Sequence, residues 1–213
     1  MKNFDLSLYL VTDSSLSLGR PLTEVVESAV KGGVTMVQLR EKNSTSRKFY
    51  ELALQLKTIL EPYKVPLIIN DRLDIALAVD ADGLHIGQND LPCQVARQLL
   101  GNNKIIGLSV ENMDQAIDSN QLDVDYIGIS PVFATPTKTD TQAPVGLDGV
   151  NYISTLSIHP SVAIGGANLD NAGDMISHGA DGVAVVSAIM SSNEPLVAAM
   201  QLRELIDNAK REH

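Results

Sequence analysis

The chain has 213 residues, 44% of them hydrophobic, and carries 16 basic against 26 acidic side chains for a net charge of −10. That is enough chain to bury one full core, and α/β barrels commonly reach this size as a single domain. The acidic balance argues against nucleic-acid binding through a basic surface, so any phosphate must be met by cations focused at one place.

Cys93 is the single cysteine, which excludes an internal disulfide and fits a reducing compartment. Among apolar neighbours it reads as a small buried residue rather than a nucleophile. The apolar stretch near Met1 is too short for a signal sequence, and no run approaches the roughly 20 apolar residues of a membrane span. The expectation is a cytoplasmic protein.

Strand and helix signals then alternate along the chain. Leu6–Val11 is an apolar strand ending at Thr12-Asp13, and Pro21–Lys31 has helical spacing (Leu22, Val25, Val26, Ala29) stopped by Gly32-Gly33. Met36–Leu39 is a strand, Ser46–Leu60 a long amphipathic helix, Pro66–Ile69 a strand and Leu73–Val79 a short helix. Gly83–Ile86 is a strand, Pro92–Leu100 a helix stopped by Gly101, Lys104–Leu108 a strand and Met113–Ser119 a helix. Asp125–Ile129 is the sixth strand, Gly149–Leu156 a helix, Ser161–Ile164 a strand and Leu169–Ser177 a helix. Gly182–Val186 is the last strand and Glu194–Lys210 the closing helix.

The strands are near-continuous apolar runs, as parallel strands buried on both faces require. A weak repeat supports the unit: Asp80-Ala-Asp-Gly-Leu-His-Ile-Gly87 and Gly179-Ala-Asp-Gly-Val-Ala-Val-Val186 both pass from a helix end through Asp-Gly into a strand. Eight regular units in this length suit a closed (β/α)8 TIM barrel better than an open doubly wound sheet. No linker interrupts them, so residues 1–213 are expected to be one domain.

Barrel active sites lie at the carboxyl ends of the strands, and the unusual polar residues gather there. The second strand runs into Gln38-Leu-Arg-Glu-Lys42, the third into Asn70-Asp-Arg72, and the fourth into His85-Ile-Gly-Gln-Asn-Asp90. The fifth ends in Ser109. The sixth enters a long polar loop after Pro131 with Thr135, Pro136, Thr137 and Lys138, the seventh ends in Gly165-Gly166, and the eighth in Val186-Ser187.

Each feature has a plain structural alternative. Gln38, Arg40 and Lys42 share one parity along the chain and would point together into the mouth, although a charged run after a strand is ordinarily an exposed turn. Asp71 and Asp90 are each unremarkable helix-capping acids, but as a pair opposite several cations they look like half of a Mg2+-diphosphate site. Gly165-Gly166 before a helix offers backbone amides to an anion, in a place where barrels often hold phosphate. A Gly-Gly turn alone is weak evidence. His85, inside a strand, reads as a hydrogen-bonded core residue, while His159 and His178 sit at the amino-terminal side of strands. No histidine is assigned to catalysis, and no nucleophile–His–acid arrangement is present.

These motifs, six in order over nearly the whole chain with Pro131-Val-Phe-Ala-Thr-Pro-Thr-Lys138 and Val186-Ser-Ala-Ile189 among them, strongly resemble those of the thiamine phosphate synthase family. The resemblance implies a (β/α)8 barrel that uses Mg2+. It implies joining 4-amino-2-methyl-5-(diphosphooxymethyl)pyrimidine to a thiazole phosphate carboxylate, with pyrophosphate released and thiamine phosphate formed. It places Asp71 and Asp90 on the metal. Gln38, Leu39, Arg40, Glu41, Lys42, Asn70, Ser109 and Lys138 would surround the pyrimidine diphosphate, with Arg40, Lys42, Ser109 and Lys138 as the catalytic groups. Thr135, Pro136, Thr137, Gly165, Gly166, Val186 and Ser187 would hold the thiazole phosphate, and the loop carrying the threonines is expected to close over both. Asn89 departs from the Glu that many relatives place before the metal aspartate. The implied mechanism loses diphosphate before the thiazole nitrogen attacks, so it needs no protein nucleophile. The implied partners are two phosphorylated small molecules, with no nucleic acid or membrane and with a homo-oligomer left open. The alternatives are a thiazole tautomerase, which would need a histidine acid–base group near the mouth, and a non-catalytic thiamine-phosphate-binding barrel.

Overall fold

The structure, a computed structural model, describes residues 4–134 and 143–212. Eight strands form one closed parallel barrel in sequence order. They are β1 (Leu8–Val11), β2 (Met36–Leu39), β3 (Leu67–Asn70), β4 (Gly83–Ile86), β5 (Ile105–Val110), β6 (Tyr126–Ile129), β7 (Ser161–Ile164) and β8 (Gly182–Val185). Ring closure comes from β1 pairing with β8, Tyr9 opposite Ala184.

The outer helices are α1 (Leu22–Lys31), α2 (Ser46–Leu60), α3 (Leu73–Ala78), α4 (Cys93–Leu100), α5 (Met113–Ser119), α6 (Gly146–Leu156), α7 (Ala172–Ser177), α8 (Ser187–Met190) and α9 (Pro195–Arg211). Each turns one apolar stripe to the strands, as Phe49, Ala53, Leu56 and Leu60 do on α2. Among the described residues no helix is long and apolar enough to cross a membrane.

Most boundaries move by one or two residues, and three differences from the sequence reading are larger. Helix α6 starts at Gly146, three residues early, because the Val145 and Gly146 N–H groups donate to the Pro131 and Val132 carbonyls at 2.9 and 3.0 Å. Helix α7 starts late, at Ala172, because the Asn168 and Asn171 side chains accept from the Asp170 and Asn168 N–H groups and hold a turn instead. The short α8 follows β8 directly, in a place where the sequence reading has no helix.

Two apolar layers result. Outward strand residues such as Leu10, Val37, Leu39 and Ile69 pack under the helices, while Tyr9, Met36, Ile68, Ile105, Tyr126 and Val162 fill the barrel itself. The interior holds two tyrosines only because neighbouring strands omit side chains. A Cβ on Gly107 would lie 2.1 Å from the Tyr126 ring, and one on Gly128 3.1 Å from the His85 ring.

At the amino-terminal rim the repeat has a physical purpose. Asp82, Asp125 and Asp181 each accept, at 2.8 Å, an N–H from the start of the preceding strand, that of Leu67, Ile106 and Ser161. Each donates its own N–H back to the same residue's carbonyl, at 2.8–3.0 Å. These clamps satisfy strand ends that the helices leave uncovered.

Candidate active site

A cavity of about 280 Å³ opens at the carboxyl ends of the strands. Gln38, Arg40 and Lys42 all line it, so the shared parity extends three residues past β2. Gln38 is buried, with its amide Nε2 donating to the Tyr9 hydroxyl at 2.9 Å. Arg40 is held by its N–H on the Thr12 hydroxyl at 3.1 Å and by a long ion pair to Asp13 at 3.9 Å. Asn70, Ser109, Gly165, Gly166, Val186 and Ser187 also line the cavity.

Asp71 stands at the tip of a tight turn after β3, where the Arg72 N–H donates to the Asn70 carbonyl at 2.7 Å. Its φ of +61° puts a non-glycine residue in the left-handed region, a conformation that costs of order 1 kcal/mol and gathers at functional sites. The turn aims its carboxyl at Asp90, which is itself held by the Gly87 N–H at 2.7 Å. Burial, then the hydrogen bond and charge of Asp90, push the Asp71 carboxyl up to about 6, while Lys42 pulls the other way. Two carboxylates crowded together repel when both ionise, and a cation between them relieves that.

Among the described residues no group of three or more His, Cys, Asp and Glu gathers as a metal cluster. A hard cation such as Mg2+ does not need one, because it takes one or two carboxylates and completes its shell with water and substrate phosphate. The Asp71–Asp90 pair fits that donor set.

Across the mouth, the chain leaving β6 runs beside the end of β7. The Val132 and Phe133 N–H groups donate to the Ile164 and Gly165 carbonyls at 2.9 and 3.0 Å. Gly165 and Gly166 have φ of +109° and +68°, and a Cβ on either would come within 2.9 Å of Pro131 or Phe133. Both positions therefore require glycine, for conformation and for room.

This geometry sits on a sequence with close relatives. The family model for thiamine monophosphate synthase matches residues 8–189. The thiamine-phosphate synthase of Syntrophomonas wolfei is 55% identical over 205 residues, covering 96% of this chain and 98% of the relative. The chain belongs to the thiamine monophosphate synthase family. It is a transferase of thiamine biosynthesis. A second relative, the thiamine-phosphate synthase of Albidiferax ferrireducens, is 52% identical and covers 95% of this chain and 92% of its own. Thiamine phosphate pyrophosphorylase from Pyrococcus furiosus superposes with a TM-score of 0.88 at 38% identity, covering 96% of both chains. A 3-hexulose-6-phosphate synthase, at 15% identity and a TM-score of 0.66, shares the fold alone.

For a chain of the thiamine monophosphate synthase family, not every expected site residue lines the mouth. Leu39 packs in the layer under the helices and Glu41 accepts from the Ser14 hydroxyl, so both side chains point away from the cavity. Arg72 also turns outward, to Asp74 and Ser46. Thr135, Pro136, Thr137 and Lys138, and with them the expected loop closure, lie outside the described residues.

Sequence reasoning missed an interior set. Tyr9, Tyr126 and His85 sit beneath the mouth, linked hydroxyl to hydroxyl at 2.8 Å and hydroxyl to His85 Nδ1 at 2.9 Å. His85 Nε2 then meets the Ser109 hydroxyl at 3.0 Å. His85 is hydrogen-bonded and buried as expected, but it also lines the cavity. With both ring nitrogens engaged, it is poorly placed for the acid–base work a tautomerase needs. Period-two spacing marks such residues as inward, yet only barrel closure joins them.

Proposed function

We propose that this chain, acting as one catalytic domain over residues 1–213, joins an aminopyrimidine-methyl diphosphate to a thiazole phosphate carboxylate and releases pyrophosphate. The observation that carries this reading is the single mouth in which Arg40 and Lys42 face the crowded Asp71–Asp90 pair, with glycine amides on the far side.

The bond from the pyrimidine methyl carbon to the diphosphate oxygen breaks with its electron pair leaving on oxygen. A pyrimidine-methyl cation remains, and the thiazole nitrogen then supplies the pair for the new C–N bond. The thiazole carboxylate leaves as CO2, its bonding pair staying with the ring system, which takes up a proton to give thiamine phosphate. Such a reaction asks the protein for positioned charge rather than a nucleophile. Cys93 fits that absence, since it is buried in α4 and burial pushes its thiol up. Arg40 and Lys42, with Lys138 from the loop beyond the described residues, meet the charge growing on the leaving diphosphate. Asp71 and Asp90 would hold Mg2+, whose positive charge would lower the energy of the departing diphosphate. Gln38, Asn70 and Ser109 orient the pyrimidine. Gly165, Gly166, Val186 and Ser187, with Thr135, Pro136 and Thr137, receive the thiazole phosphate.

The test supplies both substrates with and without Mg2+ and follows thiamine phosphate and pyrophosphate together. Metal-dependent appearance of both is the expected result. Isomerised thiazole without pyrophosphate would replace this reading with a tautomerase. Lys138→Ala is expected to cut turnover about a hundredfold with the fold intact, and near-normal turnover would remove Lys138 from this role.

A further inference from the structure

We propose that Gln38, Tyr9, Tyr126, His85 and Ser109 form one directional hydrogen-bond chain through the barrel that sets donor and acceptor at the pyrimidine subsite, making Tyr9, Tyr126 and His85 positioning residues for substrate selection. The inference rests on the reading above, because the selected edge is that of an aminopyrimidine.

The links are continuous: Gln38 Nε2 to the Tyr9 hydroxyl at 2.9 Å, Tyr9 to Tyr126 at 2.8 Å, Tyr126 to His85 Nδ1 at 2.9 Å, and His85 Nε2 to the Ser109 hydroxyl at 3.0 Å. Tyr9, Tyr126, Gln38 and His85 are all at least nine-tenths buried, so bulk water offers them little alternative. Burial also raises both tyrosine hydroxyls above their ordinary range, which leaves each with a single proton to give.

One proton per hydroxyl dictates the direction. The amide nitrogen of Gln38 can only donate, so the Tyr9 oxygen accepts from it and passes its own proton to Tyr126. Tyr126, having accepted, donates to His85 Nδ1. An accepting Nδ1 places the ring proton on Nε2, and that N–H donates to the Ser109 oxygen. Both ends of the chain then face the cavity with fixed character. The Gln38 Oε1 acceptor and the Ser109 hydroxyl proton have no protein partner among the described residues, and both side chains line the mouth.

The mouth therefore offers an acceptor from β2 and a donor from β5. A 4-aminopyrimidine matches that pair, with a donating exocyclic amine and ring nitrogens that only accept. A 4-oxopyrimidine inverts it, with an accepting oxygen and a ring N–H. To welcome the oxo ring, the Gln38 amide must flip, both hydroxyls must turn and the imidazole must change tautomer together. Rotating Ser109 alone is not enough. Sites built this way reject the analogue because buried groups are left facing their like.

Two measurements decide the matter. The first is 15N NMR of histidine-labelled, substrate-free protein, with His85 assigned by comparison with Tyr126→Phe. The expected result is a proton on Nε2 in the wild type and a mixture of tautomers in the variant. A wild-type proton on Nδ1 overturns the chain's direction. The second compares the KM for the amino substrate with the inhibition constant of the 4-oxo diphosphate analogue. Tyr126→Phe is expected to lower that discrimination about tenfold through the pyrimidine KM, with the thiazole phosphate KM unchanged. Unchanged discrimination overturns the positioning role. If Tyr126→Phe does not fold, Tyr9→Phe breaks the chain one link earlier and is read in the same two ways. A wild type that forms no thiamine phosphate would defeat the functional reading, and the tautomer would still decide the chain.

Discussion

Aspartates at the two ends of this barrel have opposite circumstances. At the amino-terminal rim, Asp82, Asp125 and Asp181 each accept a strand N–H at 2.8 Å, so their charge is met within the protein. At the mouth, Asp71 and Asp90 are turned toward one another, and burial with that repulsion pushes Asp71 up to about 6. One residue type thus serves stability where strand donors meet its charge and function where a second carboxylate faces it. The difference lies in the neighbours, and it can be attacked from either end.

The largest expected effect is on catalysis at the mouth. Asp71→Asn keeps a side chain that tolerates the left-handed turn but removes one of two carboxylates, and turnover should fall roughly 10²–10³-fold. Steady-state rates at saturating Mg2+ check this, and turnover within threefold of wild type would show that the mouth acids do not serve the reaction.

At the rim, Asp125→Ala should cost about 3 kcal/mol of stability, because it strips a strand cap and takes the nearest carboxylate from a buried guanidinium. Arg97, only 7% exposed, would lose its 2.7 Å partner and keep the weaker contact to Asp123 at 3.2 Å. Thermal unfolding should drop by roughly 6–12 °C, with both KM values unchanged. A shift in substrate affinity larger than the loss of stability would erase the contrast between the two ends.

The smallest effect is the sharpest test of the comparison. With its folded value raised from 3.8 to about 6, Asp71 is protonated in both states at low pH. As pH rises through that window the unfolded chain releases its proton first, so the wild type loses stability and bears the full cost above it. After discounting for the part of the carboxyl that water screens, Asp71→Asn should be more stable than wild type by about 1 kcal/mol at pH 8 without metal. Below pH 4 the advantage should vanish. Denaturant unfolding at the two pH values measures it, and a variant less stable at pH 8 would mean that Asp71 is structurally satisfied after all.

Much of this site was legible before any coordinates. Gln38, Arg40 and Lys42 could be placed at the mouth because strand parity survives past Leu39, and Gly165-Gly166 because a turn there is followed by a helix. The same motif carried Leu39 and Glu41 along, and parity is also the reason they face away. The turn at Asp71 was not legible, since its left-handed backbone depends on the Arg72 N–H reaching the Asn70 carbonyl.

The amino-acid sequence by itself determined the alternation of buried strands and one-sided helices, and hence the parallel barrel, because a strand covered on both faces must be apolar throughout. It also determined which polar residues stand at strand ends. Only the tertiary structure decided that Tyr9 and Tyr126, 117 positions apart, would share a hydrogen bond, and that His85 would link them to Ser109. Local sequence encodes which face a side chain takes, but closing the ring chooses what it meets there.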